Sequence, residues 1–257
     1  MSTHSPLFVG IDKFDDIRMI RKIQGDTSLP KISTVTSTTM STIANDIWEA
    51  NGKSSPAYTK DTLYPRLQGI MTPWINEGFF SDVIVLVEGD NDRAAIIAYY
   101  ENHYKHKVES KGISVIHCNE KNNIDRPAII FKKLGIPTYL IWDSDKNKGG
   151  DPSNRIKTNK ILLSICDHAE EDYPNTIAES FACFTDDLNK ILEDEIGPDY
   201  LKFMDDLTQE YSLGSRKNAR KNTFLLSKVI EKCIENGRSS VSLNKIVERI
   251  HILAEQH

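Results

Sequence analysis

Four carboxylates stand where an α/β chain can gather negative charge. Glu88 closes the apolar run Val83-Ile84-Val85-Leu86-Val87, and Gly89 follows it. Asp92 comes four residues after Glu88, in the first turn of a helical pattern, and could face the same crevice. A second apolar run, residues 137–142, ends in Asp143-Ser144-Asp145. In an extended chain Asp143 and Asp145 point to the same side. Carboxylates that repel one another are expensive to gather unless a cation holds them. Oxygen-rich sites suit Mg²⁺ or Mn²⁺. Singly, each acid reads as a helix cap or a strand end in water. Together they read as a metal site.

The elements that must position these acids follow from the pattern around them. Five apolar, mostly β-branched residues in a row predict a buried parallel strand. Asp90 or Asn91 can cap the helix that follows, predicted over residues 92–104. Further strands are expected at 114–117, 138–142 and 176–184, with helices at 126–134 and 154–166 between them. A carboxylate at the carboxyl end of a central strand lies where open α/β sheets place their sites.

The order of these pieces resembles the Toprim domain of topoisomerases, DnaG-type primases and several nucleases. Glu77-Gly78-Phe79-Phe80-Ser81-Asp82, Gly112-Ile113-Ser114-Val115-Ile116 and Leu134-Gly135-Ile136-Pro137-Thr138 narrow it to the overcoming-lysogenization-defect (OLD) family of nucleases. The likeness runs from the first residues to about Leu226. It implies a Toprim (Rossmann-like) parallel sheet flanked by helices, with accessory helical segments at both ends. It also implies a DNA endonuclease with two divalent ions flanking the scissile phosphate.

The resemblance supplies further candidates. Glu179 and Asp186 would complete the ligand set of Glu88, Asp92, Asp143 and Asp145. The family's glutamate after that acid pair is Asn189 here, which leaves the second ion's ligands open, and capping by Asp186 competes with ligation. Lys121, in the loop after the second strand, could sit near a phosphate; here Glu120 replaces the family's glycine. Lys221 occupies the place of the family's catalytic lysine, with Asn222 for the usual proline, and Lys217 is the alternative. Glu88 and Lys221 are thus the expected catalytic residues. Thr3-His4-Ser5-Pro6 resembles the end of an ABC-type ATPase core, so an amino-terminal ATPase domain of a longer protein is an expected partner. His4 reads as a terminal residue with no role in this chain. No Gly-x-x-x-x-Gly-Lys-Ser/Thr loop occurs, so no ATP site is expected here.

Primase-like or topoisomerase-like nucleotidyl transfer and a non-catalytic assembly module are the rival readings. No zinc spacing or marked tyrosine favours the first two, and the intact acids argue against the third.

The net charge of −5 counts mildly against nucleic acid. Bound cations would offset it locally, however, and residues 216–221 form a basic cluster in which Arg216 and Lys217 are DNA-contact candidates. The four cysteines show neither disulfide nor zinc spacing, so free thiols and a cytoplasmic setting are expected. No run reaches membrane-span length. A homodimer is compatible with the sequence.

The expected divisions are 1–26, the end of an ATPase domain; 27–80, a linker and helical segment; 81–187, the α/β core; and 188–257, a helical region packing on it. Within these, 14–25 is ambiguous between strand and helix. Residues 28–41 read as linker, 42–50 and 60–74 as helices. Beyond 187, helices are predicted at 188–196, 200–211, 221–236 and 243–255.

Overall fold

A computed structural model describes residues 3, 5–23, 30–53 and 55–256; His4 lies outside these. Two strands, β1 (Met19–Ile23) and β2 (Ile32–Thr36), form an antiparallel ribbon. This corrects the linker reading of 28–41. The alternating β-branched residues of Ile32–Thr36 favour an extended chain once a partner strand is beside them. Helices α1 (Met40–Ala50), α2 (Lys60–Gln68) and α3 (Pro73–Asn76) follow. The single helix expected over 60–74 is therefore broken. It stops at Gly69, and Pro73 opens a new turn capped by Thr72.

The core is β3 (Val83–Val87), α4 (Asp90–Tyr104), β4 (Ile113–His117), α5 (Asp125–Lys133), β5 (Thr138–Asp143), α6 (Ser153–Ile165), β6 (Thr176–Ile177) and β7 (Phe181–Phe184). The sheet order is β4-β3-β5-β7-β6, parallel except for β6. The single strand expected over 176–184 is instead a tight hairpin, closed by a bond from the Ala178 N–H to the Phe181 carbonyl.

All five side chains of β3 are fully buried. Each such burial contributes about 1.5–3 kcal/mol. Val83, Val85, Val87, Tyr139 and Ile141 face a core shared with α4 and with α7 (Leu188–Ile196), α8 (Pro198–Glu210), α10 (Thr223–Glu235) and α11 (Val241–Glu255). The short α9 (Arg216–Ala219) precedes α10. Ile84, Leu86, Leu140 and Trp142 face the opposite core, built by α1, α2, α5 and α6.

The chain leaves β3 toward β4 on one side and returns to β5 on the other. α4 covers one face, and α5 and α6 cover the other. The crevice this opens lies at the carboxyl ends of β3 and β5, where such sheets bind ligands. The four cysteines are free. Among the described residues no helix is long and apolar enough to cross a membrane.

Candidate active site

Glu88 and Asp143 sit at that crevice. The parallel register sets Val87 beside Ile141, so both strands run out at the same rim. The Asp143 backbone N–H is hydrogen-bonded to the Glu88 carboxylate, while Glu88 Oε2 is buried with no hydrogen-bond partner. Asp92 lies in the first turn of α4. Its Oδ2 accepts from the Gly89 N–H at 2.9 Å, a bond from the first turn back to the N-cap that fixes how α4 leaves β3.

Asp145 has a left-handed backbone, φ 59°. This conformation turns the chain sharply after β5, and Asp and Asn adopt it more readily than most residues. The turn is held from below. The Asn159 side chain, fully buried on α6, donates to the carbonyls of Ser144 at 3.0 Å and Asp172 at 2.8 Å. The Ser144 N–H donates to the Phe184 carbonyl at 2.6 Å. Asn159 therefore positions both acids of the Asp-Ser-Asp turn.

The electrostatics are those of crowded carboxylates. Burial pushes Asp143 up to about 9, reinforced by Asp92, Glu88, Asp187 and Asp145. Burial raises Asp92 to about 6 despite the Gly89 hydrogen bond, and Asp187 adds to it. Glu88 is raised by burial and by Asp145, with Lys121 opposing. Lys121 is the buried cation of the cluster: its ammonium donates to the Asp143 carbonyl at 2.7 Å and to Asp145 Oδ2 at 2.6 Å. This corrects the phosphate-contact reading of Lys121. At 6% exposure its charge is committed to the acids rather than offered to solvent.

The remaining candidates separate. Glu179 lies exposed in the β6–β7 turn, before Phe181, which pairs with Leu140. That is the amino end of β7, opposite the acid rim, so Glu179 does not join the cluster. Asp186 accepts from Asn147 at 2.9 Å. Its neighbour Asp187 is the acid within charge range of Asp92 and Asp143, and it also caps α7 by accepting from the Lys190 N–H. The pair Asp186-Asp187 was visible in sequence, but which member turned inward depends on that cap.

Lys221 is exposed in the turn between α9 and α10, and among the described residues neither it nor Lys217 has a carboxylate partner. Asn222, where the family places proline, caps α10 through the Leu225 N–H. Arg216, also exposed, is bound by two hydrogen bonds to Asp205.

Among the described residues no three His, Cys, Asp or Glu side chains converge closely enough to hold an ion as they stand. The chemistry nevertheless fits a cation. Three half-buried carboxylates are held above their ordinary pKa values, one lysine partly offsets them, and Glu88 Oε2 lacks a partner.

A mostly parallel sheet with an acid after its central strand and an Asp-x-Asp turn after the neighbouring strand defines a Toprim domain. Residues 79–145 match the family described as overcoming lysogenization defect protein-like, TOPRIM domain. An "OLD nuclease" of Thermus scotoductus is 27% identical over 144 residues. That stretch is 56% of this chain and 24% of the relative, so the chain spans about a quarter of the relative's length. Two solved structures of OLD carboxyl-terminal regions also match. The one from Xanthomonas campestris pv. campestris is 17% identical with TM-score 0.48, covering 70% of this chain and 100% of its own. The one from Burkholderia pseudomallei is 18% identical with TM-score 0.48, covering 68% and 99%.

Proposed function

We propose that this chain is the nuclease portion of an OLD-type protein and hydrolyses DNA phosphodiester bonds with Mg²⁺ or Mn²⁺. The observation that carries the reading is the half-buried set Glu88, Asp92, Asp143 and Asp145 at the crevice between β3 and β5, with Glu88 Oε2 unpartnered. Glu88, Asp143 and Asp145 are the first residues that would hold divalent ions, with Asp92 and Asp187 beside them. Two ions would supply an activated water and relief of charge on the leaving oxygen.

The chain's own residues do the rest. Asn159 fixes the Asp-Ser-Asp turn, and Lys121 keeps Asp145 and the Asp143 carbonyl in register. Lys221 offers its ammonium to the extra negative charge of the transition state. The amino-terminal ATPase domain of the longer protein is the expected partner.

The test is incubation with supercoiled and linear DNA in Mg²⁺, Mn²⁺, Ca²⁺ or chelator. Nicking and cutting are expected with Mg²⁺ or Mn²⁺, without ATP. Cleavage that persists in excess chelator would sink the reading.

A further inference from the structure

Beside the acids lies a corner of opposite chemistry. Arg93, one residue past Asp92 on α4, stacks its guanidinium over the Trp74 ring, with Cζ 4.7 Å from the centroid. Its Nε donates to the Val115 carbonyl at 3.0 Å, on the outer edge of β4. Its two terminal nitrogens make no hydrogen bond and are not enclosed, and among the described residues it has no carboxylate partner. The His117 ring lies 5.7 Å from that of Trp74. Trp74 Nε1 and His117 Nδ1 are both buried without a partner. A guanidinium pinned through Nε and stacked on an indole has already lost most of its freedom, so it binds an anion at little further entropic cost.

We propose that Arg93, on its Trp74 platform, is a subsite for a DNA backbone phosphate flanking the one at the acid cluster. This rests on the nuclease reading above and adds the path of the strand. Val115 pairs with Val85, three residues before Glu88. Strand and residue spacing therefore put the Val115 carbonyl roughly 10 Å from Glu88. Phosphates along one strand of B-DNA stand farther apart through space than their axial rise of about 3.4 Å, so that span is about one to two phosphates.

The opposite side of α4 carries the other cations. Asn91 Nδ2 donates to the Arg220 carbonyl at 2.9 Å, fastening the turn that holds Lys221. Asn91 and Arg93 lie about 200° apart around the helix. A strand crossing the acids thus meets Lys221 on one flank and Arg93 on the other.

The test is DNA binding in Ca²⁺ at several salt concentrations, using a short duplex and the whole chain. Arg93→Ala is expected to weaken binding about tenfold and to lower the salt slope by about one. Arg93→Lys keeps the charge but loses fork and stack, so it should restore the slope and only part of the affinity. With Mn²⁺, the loss of kcat/KM for Arg93→Ala should be about tenfold greater on DNA than on bis(4-nitrophenyl) phosphate, which has no flanking phosphate. Wild-type affinity and salt slope in Arg93→Ala would overturn the subsite. So would equal losses on both substrates, which would put Arg93 at the reacting phosphate. Failure of the wild-type chain to cleave either substrate would count against the nuclease reading, while the binding titration would still decide the role of Arg93.

Discussion

Two carboxylate environments in this molecule, one exposed and one half-buried, are treated in opposite ways. At the junction of α4, α7 and α11, Glu195 accepts from the hydroxyls of Ser240 and Ser242 and from the Ser242 N–H. Burial alone would raise its pKa, but these donors outweigh burial and hold it below the usual value. Tyr99 completes the network, donating through its hydroxyl toward Asn244 Oδ1 at 2.8 Å and accepting from the Ser240 N–H at 2.9 Å. At the crevice, Glu88, Asp92 and Asp143 are all held above their ordinary values, and Glu88 Oε2 has no partner. A satisfied carboxylate locks helices together. An unsatisfied set spends stability and keeps its oxygens available for a ligand.

The largest expected effect separates the two directly. Asp145→Asn should reduce single-turnover DNA cleavage by at least about three decades, about 4 kcal/mol, while the chain stays folded. Wild-type cutting by this variant would make the crevice acids mere strand ends.

Lys221→Ala should come next. Removing a charge aimed at the developing phosphorane costs about two to three decades in rate, with DNA affinity in Ca²⁺ little changed. Lys217→Ala should instead lower affinity and salt slope with the rate nearly intact. If Lys221→Ala loses affinity in proportion to rate, the lysine is a phosphate clamp and Lys217 becomes the catalytic candidate. Arg216→Ala, with its guanidinium committed to Asp205, should change either quantity by about twofold at most.

At the satisfied network, Glu195→Gln should lower stability by about 0.5–1.5 kcal/mol. A drop in Tm of about 2–4 °C per kcal/mol is the corresponding readout, with cleavage at room temperature near wild type. Unchanged melting would show that the serine hydrogen bonds contribute nothing net.

The smallest effect has the opposite sign. The folded chain keeps the Asp143 proton up to about 9, whereas the unfolded chain loses it near 3.8. Between those values the unfolded state binds fewer protons, so metal-free stability falls as pH rises. Asp143→Asn should therefore melt about 2–4 °C above wild type in chelator at about pH 8, for a gain of about 1 kcal/mol. The gap should close as pH falls toward the unfolded-state value. A variant less stable than wild type at high pH would contradict the crowding.

The strand-end acids were legible because an apolar run that stops at a charge marks both a strand and its rim. Glu88, Asp143 and Asp145 needed nothing else. Glu179 misled because residues 176–184 read as one strand; the turn at Ala178–Ser180 reverses the chain and puts that acid at the far rim. The pairing of Lys121 with Asp145 was not legible, because only the fold brings residue 121 against residue 145. β2 was hidden because a short strand rich in Ser and Thr has no meaning without its partner. The Trp74–Arg93 stack joins segments far apart in the chain, and no local pattern announces it.

The bond from Arg93 Nε to the Val115 carbonyl also bears on how copies of the chain meet one another. An outer strand with bare backbone groups invites another strand to pair with it. Here β4 has one such carbonyl taken by Arg93, and α3 packs against the same strand. The other border is β6, two residues long and antiparallel. One border is too short to extend and the other is partly occupied, so crowded copies have less means of zipping sheet to sheet. The more open strand surface is the β1–β2 ribbon, where the cross-strand pair Ile20 and Val35 stands exposed.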